Sequence, residues 1–453
     1  MPAALRACAF MFIPAACWQV WLSPDIPNYH FQHAFMYVVL LLLCLAWAAG
    51  IWSPEDMWTR RKRLLPWLGA LLALQGLAAF MNDGGLACIT TPAKLLIQLA
   101  TLLPILEACR VLTGRATLHN LLFSGAVLSL AIICWQAAWQ GFYIIFRITG
   151  FDFAAYISKS YLSHTAPWLE ARWPDALNGY FYARGSYTLT TPWRINGIFE
   201  EASALAANTG VFFVPLGFAL SVLAGKARLA GQAVLGASLL LMIGSISLTG
   251  LLLAAPALLF FFAALRRKRD GKGRKASLAA LALLLLAAGA IVLSPPMQIR
   301  LNLAAHNAEP PRAVITLVAL DTALEHPLLG VGRGNFPARA LQHSRFMAAL
   351  ERERELRDWK EAGLVPQLAM LPIFAAEYGL PVSLVCLLLV ARFWRKLRAA
   401  PPFEENARQR FIAALLSAWM VMAFCAGWGA IDPRNPLFIL PLFFIIAYTE
   451  LKE

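Results

Sequence analysis

Charge is scarce in this chain. Only 14% of its 453 residues are Asp, Glu, Lys or Arg, and just 25 are acidic. That excludes an ordinary soluble domain, in which about a quarter of the residues are charged. Paired cysteines are missing too. Seven of the eight (Cys8, Cys17, Cys44, Cys109, Cys134, Cys386, Cys425) lie in or at the ends of apolar blocks, and Cys88 alone falls in a loop. No two show metal-ligand spacing, so neither a disulfide framework nor a metal site is expected. They read as small buried hydrophobes.

What the chain has instead is long apolar blocks. Sixty per cent of its residues are apolar and the mean hydropathy is +0.62. Blocks of roughly 20 such residues are long enough to cross a bilayer as helices. Twelve spans are predicted, at 6–22, 32–52, 65–82, 92–111, 119–141, 201–224, 229–245, 249–265, 276–294, 368–391, 411–430 and 437–450. The seventh and eighth are short and joined by a serine-rich break, Ser245 to Thr249. Residues 1–22 also resemble a secretory signal, with Arg6 before an apolar stretch, but no small-residue cleavage site follows. The expected fold is an all-α polytopic membrane bundle of about 12 transmembrane helices, one integral-membrane domain over residues 1–453.

The net charge of +14 can signal a nucleic-acid partner. Here the basic residues sit in short runs between apolar blocks, such as Arg60 to Arg63, Arg266 to Arg269, and Arg392 to Arg398. That is the positive-inside pattern, and no nucleic-acid partner is expected. With the N-terminus inside, loops 53–64, 110–118, 225–228, 266–275 and 392–410 hold 4, 2, 2, 7 and 6 Lys plus Arg. The short outer loops 23–31, 83–91, 246–248 and 431–436 hold 0, 0, 0 and 1. Both termini are therefore expected inside, with two long segments outside, 142–200 and 295–367. Such long loops are functional or disordered, and these two are rich in Trp, Tyr, Arg and acids, unlike disordered chain. The second contains a predicted helix over 346–361 with alternating charge, read as a solvated helix with intrahelical ion pairs.

Three stretches at the outer side carry candidate chemistry. Trp193 to Ala206 enters the sixth span with Arg194, Glu200, Glu201 and Ser203, groups that are costly at a membrane boundary unless solvated or paired. The structural alternative is interfacial anchoring with a helix cap. Next, Arg312 opens a predicted amphipathic helix that ends before Pro327. The string His326-Pro-Leu-Leu-Gly-Val-Gly-Arg-Gly-Asn-Phe336 follows. Its glycines, including Gly332 and Gly334 around Arg333, permit a loop whose N–H groups can approach a phosphate. No predicted strand precedes it, which excludes a dinucleotide fold. Third, Ala375-Ala-Glu-Tyr-Gly-Leu-Pro381 places Glu377 inside the tenth span, as a functional carboxylate or as a hydrogen bond at a kink made by Gly379 and Pro381.

Arg194-x-x-Gly-x-Phe-Glu-x-x-Ser203 at a span entrance, Arg312 and the His-Pro-Leu-Leu-Gly-Val-Gly string in a long loop, and Ala-Glu-Tyr-Gly-Leu-Pro in the span after it together resemble the O-antigen ligase and O-antigen polymerase superfamily. The architecture covers the whole chain, and the motifs cover 194–206 and 312–381. The resemblance implies a metal-independent glycosyltransferase in a bacterial inner membrane, working on the periplasmic face without a cofactor. Its partners would be an undecaprenyl pyrophosphate-linked oligosaccharide, a glycan acceptor and the lipid bilayer. Arg194 and Arg312 would clamp the departing diphosphate. Arg333, Gly332, Gly334 and Glu377 would help bind substrate. Ligases of this family carry a His-Asn pair upstream of the glutamate, where this chain has Leu368 and Ala369. Glu200 or Glu201 can stand in as proton acceptor, which favours polymerisation of O-antigen, capsular or exopolysaccharide repeats over ligation to lipid A core or transfer to protein.

A polysaccharide transporter or flippase is the main non-enzyme alternative, but no internal repeat is evident. The transferase reading requires Arg194, Arg312 and Glu200 or Glu201 to meet at one outward site. Scattered positions would leave a scaffold.

Overall fold

The computed structural model describes residues 1–17, 33–83, 85–146, 202–245, 247–266, 311–350, 354–361, 369–398, 407–428 and 436–450, with 289, 293, 298 and 365 as single positions. Among the described residues the chain is 89% helical and contains no strand. Eleven of the twelve predicted spans have a helix as counterpart, and the segment 276–294 lies almost wholly outside the described residues. In chain order the described helices are α1 (Ala3–Cys17), α2 (His33–Ala48), α3 (Pro54–Arg61), α4 (Leu65–Asp83), α5 (Ala87–Gly114) and α6 (Ala116–Phe146). There follow α7 (Ala202–Asn208), α8 (Val214–Ser221), α9 (Gly225–Gly244) and α10 (Leu248–Arg266). The later helices are α11 (Pro311–Glu325), α12 (Phe336–Gln342), α13 (Ser344–Ala349), α14 (Arg354–Glu361), α15 (Met370–Arg398), α16 (Ala407–Ala426) and α17 (Pro436–Glu450).

Among the described residues, six helical stretches are long and apolar enough to cross a membrane: Pro54–Asn82, Ala87–Gly114, Ala116–Trp135, Ser203–Ser221, Gly225–Gly244 and Met370–Arg392. Shorter apolar helices run over Ala3–Cys17, Phe35–Ala48, Thr249–Leu265, Arg410–Ala426 and Leu437–Tyr448. In an apolar medium a helix satisfies every internal backbone group from within itself, which is why Leu- and Ala-rich blocks resolve into helices here. Small residues set how closely the helices approach. A Cβ at Gly125 of α6 would lie 2.0 Å from the Phe10 carbonyl oxygen of α1, so only glycine permits that crossing.

Two predicted elements differ from the structure. The sixth span is not one helix: α7 and α8 are joined by a π-helical turn, Thr209–Phe213, whose residues are all buried. The extra residue per turn lets the segment, 89% buried over 203–221, meet neighbours on every side. The charged helix predicted over 346–361 appears as two helices, α13 and α14, with 351–353 outside the described residues. The amphipathic helix opened by Arg312 is present as α11.

The bundle shares one core built from α1, α2, α5 to α10, α16 and α17. A second core lies between α11, α12, α13 and the first turns of α15, with Val314, Val318, Val331, Phe336, Phe346 and Ile373 at its centre. Polar contacts between distant segments collect at two levels. At one, Arg60 and Arg61 reach Glu107 on α5, and Arg61 also reaches Glu450 on α17. At the other, α11 and the loop after it bond to α4, α5, α7, α10 and α15. Thr91 and Glu107 mark the two levels on a single helix and are about 24 Å apart at 1.5 Å per residue.

Candidate functional site

Arg312 stands in the first turn of α11, started by Pro311, whose missing N–H costs nothing there. Its guanidinium donates from Nη2 to Ser203 Oγ at 2.8 Å and from Nη1 to Thr249 Oγ1 at 3.3 Å. Ser203 is in the first turn of α7 and Thr249 in the first turn of α10. Three segments far apart in sequence thus converge on one half-buried cation. Both hydroxyls fix its direction. The α9–α10 turn that presents Thr249 is tight: Ser247 Oγ accepts from Gly250 N at 2.9 Å as a cap, and Ser245 and Ser247 share a hydroxyl bond of 2.9 Å.

Of the other sequence-predicted residues, Arg194, Glu200 and Glu201 lie outside the described residues. The motif they belong to is represented by Ser203, which the fold brings to Arg312. The predicted meeting of Arg194, Arg312 and Glu200 or Glu201 at one site therefore falls partly on residues outside those described, and Ser203–Arg312 is the contact that the structure describes between the two motifs.

The glycine string forms a separate cluster with different partners. Glu377 is fully buried on α15. Its Oε2 accepts from Arg333 Nη1 at 2.5 Å and its Oε1 accepts from Gly334 N at 2.8 Å. Arg333 also donates from Nε to Gln98 Oε1 at 2.9 Å and from its backbone N to Gln75 Oε1 at 2.7 Å. Gly330, Gly332 and Gly334 all have positive φ, at 69°, 91° and 78°. The close approach at Gly330 also excludes a side chain, since its Cβ would sit 2.5 Å from the Glu377 carbonyl carbon.

The kink read from Gly379 is there, with φ 80° and ψ 164° inside α15. It frees backbone groups that the loop then takes up. Val331 N donates to Ala376 O, Gly332 N to Glu377 O, and Leu380 N to Pro327 O, at 2.8, 3.0 and 2.8 Å. The whole run of N–H groups from Gly330 to Asn335 donates within the protein, to His326, Ala376, Glu377, Gln75, the Glu377 carboxylate and Gly332. The loop was expected to offer N–H groups to a phosphate. In this arrangement those groups hold the loop to α15 and to α4.

Sequence reading missed Thr249, Gln75, Gln98 and Lys94. Each is a polar residue alone in or beside an apolar block, a signal that points to function by default in a spanning helix. Lys94 lies alongside the loop: a Cβ at Gly334 would come within 3.3 Å of its Cδ and 3.7 Å of its Nζ. No His, Cys, Asp and Glu cluster able to hold a metal occurs among the described residues. His343 has a structural task, its Nδ1 accepting from Arg345 N at the start of α13. No protein-family model matches the chain, and no curated protein matches it either.

Proposed function

We propose that this chain transfers a glycan from a polyprenyl diphosphate donor to a glycan acceptor on the periplasmic side of a bacterial inner membrane, most simply by polymerising repeat units. The observation that carries this reading is the Arg312 guanidinium held by Ser203 and Thr249. It sets a cation at the first turn of α7, the helix that Arg194, Glu200 and Glu201 precede in sequence. Twelve crossings, with both termini cytoplasmic, fit the two polar levels. The contacts of Arg60 and Arg61 join the inner loop 53–64 to the ends of the fourth and twelfth spans that charge counting puts inside. Those of Arg312 join the outer segment 295–367 to the outer ends of the sixth and eighth spans.

In this mechanism an acceptor hydroxyl attacks the anomeric carbon of the donor sugar. The new glycosidic C–O bond forms as the bond to the diphosphate breaks, and the leaving oxygen keeps the electron pair. Glu200 or Glu201 takes the hydroxyl proton. Arg312 and Arg194 stabilise the charge that grows on the diphosphate, with geometry suited to paired phosphate oxygens. Glu377, Gly332 and Gly334 contribute by holding Arg333 and its loop in place.

Replacing Arg312 by Ala is expected to abolish long-chain glycan while the protein still inserts, read on a gel of surface glycan against a blot of membrane fractions. Normal glycan length would end the proposal. Deleting the gene separates the activities. Single repeats on the final carrier indicate polymerisation, and full-length chains stranded on the lipid carrier indicate ligation.

A further inference from the structure

Lys94 has no part in the mechanism above. It sits on α5 between Thr90-Thr91 and Gln98, with Leu95-Leu96-Ile97 directly after it. A charged side chain in a spanning segment is costly unless it has a task. Its stem crosses Gly334, and its ammonium attracts the Glu377 carboxylate. Both oxygens of that carboxylate are already taken, by Arg333 Nη1 and Gly334 N. Lys94 is exposed and makes no hydrogen bond among the described residues. Lys94 therefore stands as a second cation beside the Arg333–Glu377 pair, with its own hydrogen-bonding capacity unused among the described residues.

The surroundings of that ammonium decide what would bind. Ile97, one helical turn further along the same face, is 65% exposed, and Ile89, Met81 and Phe80 on the same hairpin are 66%, 69% and 61% exposed. These apolar side chains suit acyl or isoprenoid chains and not water. A phosphate carried by a lipid can place its headgroup on Lys94 and its chains along the hairpin, whereas a free phosphate gains only the charge. A compact ammonium is a good point contact for one phosphate, and basic sites between spanning helices hold such headgroups.

We propose that Lys94, with Arg333 beside it, is a binding site for the phosphate headgroup of a membrane lipid, distinct from the site at Arg312. The site stands on the geometry of α4, α5 and the glycine loop and does not depend on the transferase reading.

The test is native mass spectrometry of the full-length protein in detergent, titrated with undecaprenyl diphosphate, with phosphatidylglycerol, and with diacylglycerol as the phosphate-free control. Wild type is expected to retain at least one of the phosphate lipids and not diacylglycerol. Lys94→Gln should weaken retention about tenfold, the loss of one charge-assisted contact, and Lys94→Arg should keep most of it. Retention confined to undecaprenyl diphosphate identifies a carrier lipid, and equal retention of both identifies a general anionic-lipid site. Unchanged retention in Lys94→Gln, equal retention of diacylglycerol, or no retained lipid in wild type would overturn the proposal. Thermal unfolding of each variant checks that the exposed substitution leaves the fold intact.

Discussion

Glu107 and Glu377 are both fully buried carboxylates in helices able to span a membrane, and both are paired to arginine, yet the two pairings are built differently. Glu107 meets two arginines, and one of them, Arg61, has a second carboxylate in Glu450. Trp52 Nε1 donates to the same Glu107 oxygen as Arg60, at 3.2 Å. The network is balanced two against two and joins α3, α5 and α17. Glu377 has a single arginine, and its second oxygen is met by a backbone N–H. The first arrangement is redundant and ties helices together. The second holds a loop on one carboxylate and leaves a neighbouring ammonium over. Redundancy suits a structural tie, and a surplus cation suits a place where an anion arrives.

That contrast can be attacked first at Glu377. Glu377→Ala leaves Arg333 without its carboxylate and should cost about 3–5 kcal/mol. Amide exchange at 330–335 should rise by orders of magnitude while α1 to α3 stay protected. Uniform loosening of the whole bundle would show that the loop is not a separate unit. Next comes Gly330→Ala, which demands a positive φ and a Cβ in the place of α15 backbone. It should cost about 3 kcal/mol and show the same local exchange pattern. Smallest is Glu107→Ala, expected to cost about 2 kcal/mol because Arg61 keeps Glu450. Adding Glu450→Gln should then cost more than it does alone, by thermal unfolding in detergent. If Glu107→Ala equals Glu377→Ala in effect, the redundancy has no energetic meaning.

Much of the helical framework is legible in the sequence, because apolar block length reports helix position directly. Arg312 at the head of α11 and the break at Gly379 are local features, readable from Pro, Gly and periodicity. The π turn at Thr209–Phe213 is not, since nothing in an Ala-rich run marks an extra residue per turn. It answers to the side chains packed around it, such as Leu253 and Met422 near Gly210. Likewise the partners of Arg312 and Arg333 come from segments 44 to 258 positions away, and single Ser, Thr or Gln residues give no pattern to match. Half of the candidate site was named by motif. The hydroxyls and amides that aim it had to come from three dimensions.

The break at Gly379 has a mechanical side. A straight α15 would need the Ala376 and Glu377 carbonyls and the Leu380 amide for its own ladder, and all three are engaged with the 327–332 backbone. The helix therefore cannot straighten while the loop is seated, and the loop cannot leave without offering those groups to a straighter rod. Whatever pulls on one bends the other, so the segment works as a crank between the chain leaving α11 and the far half of α15.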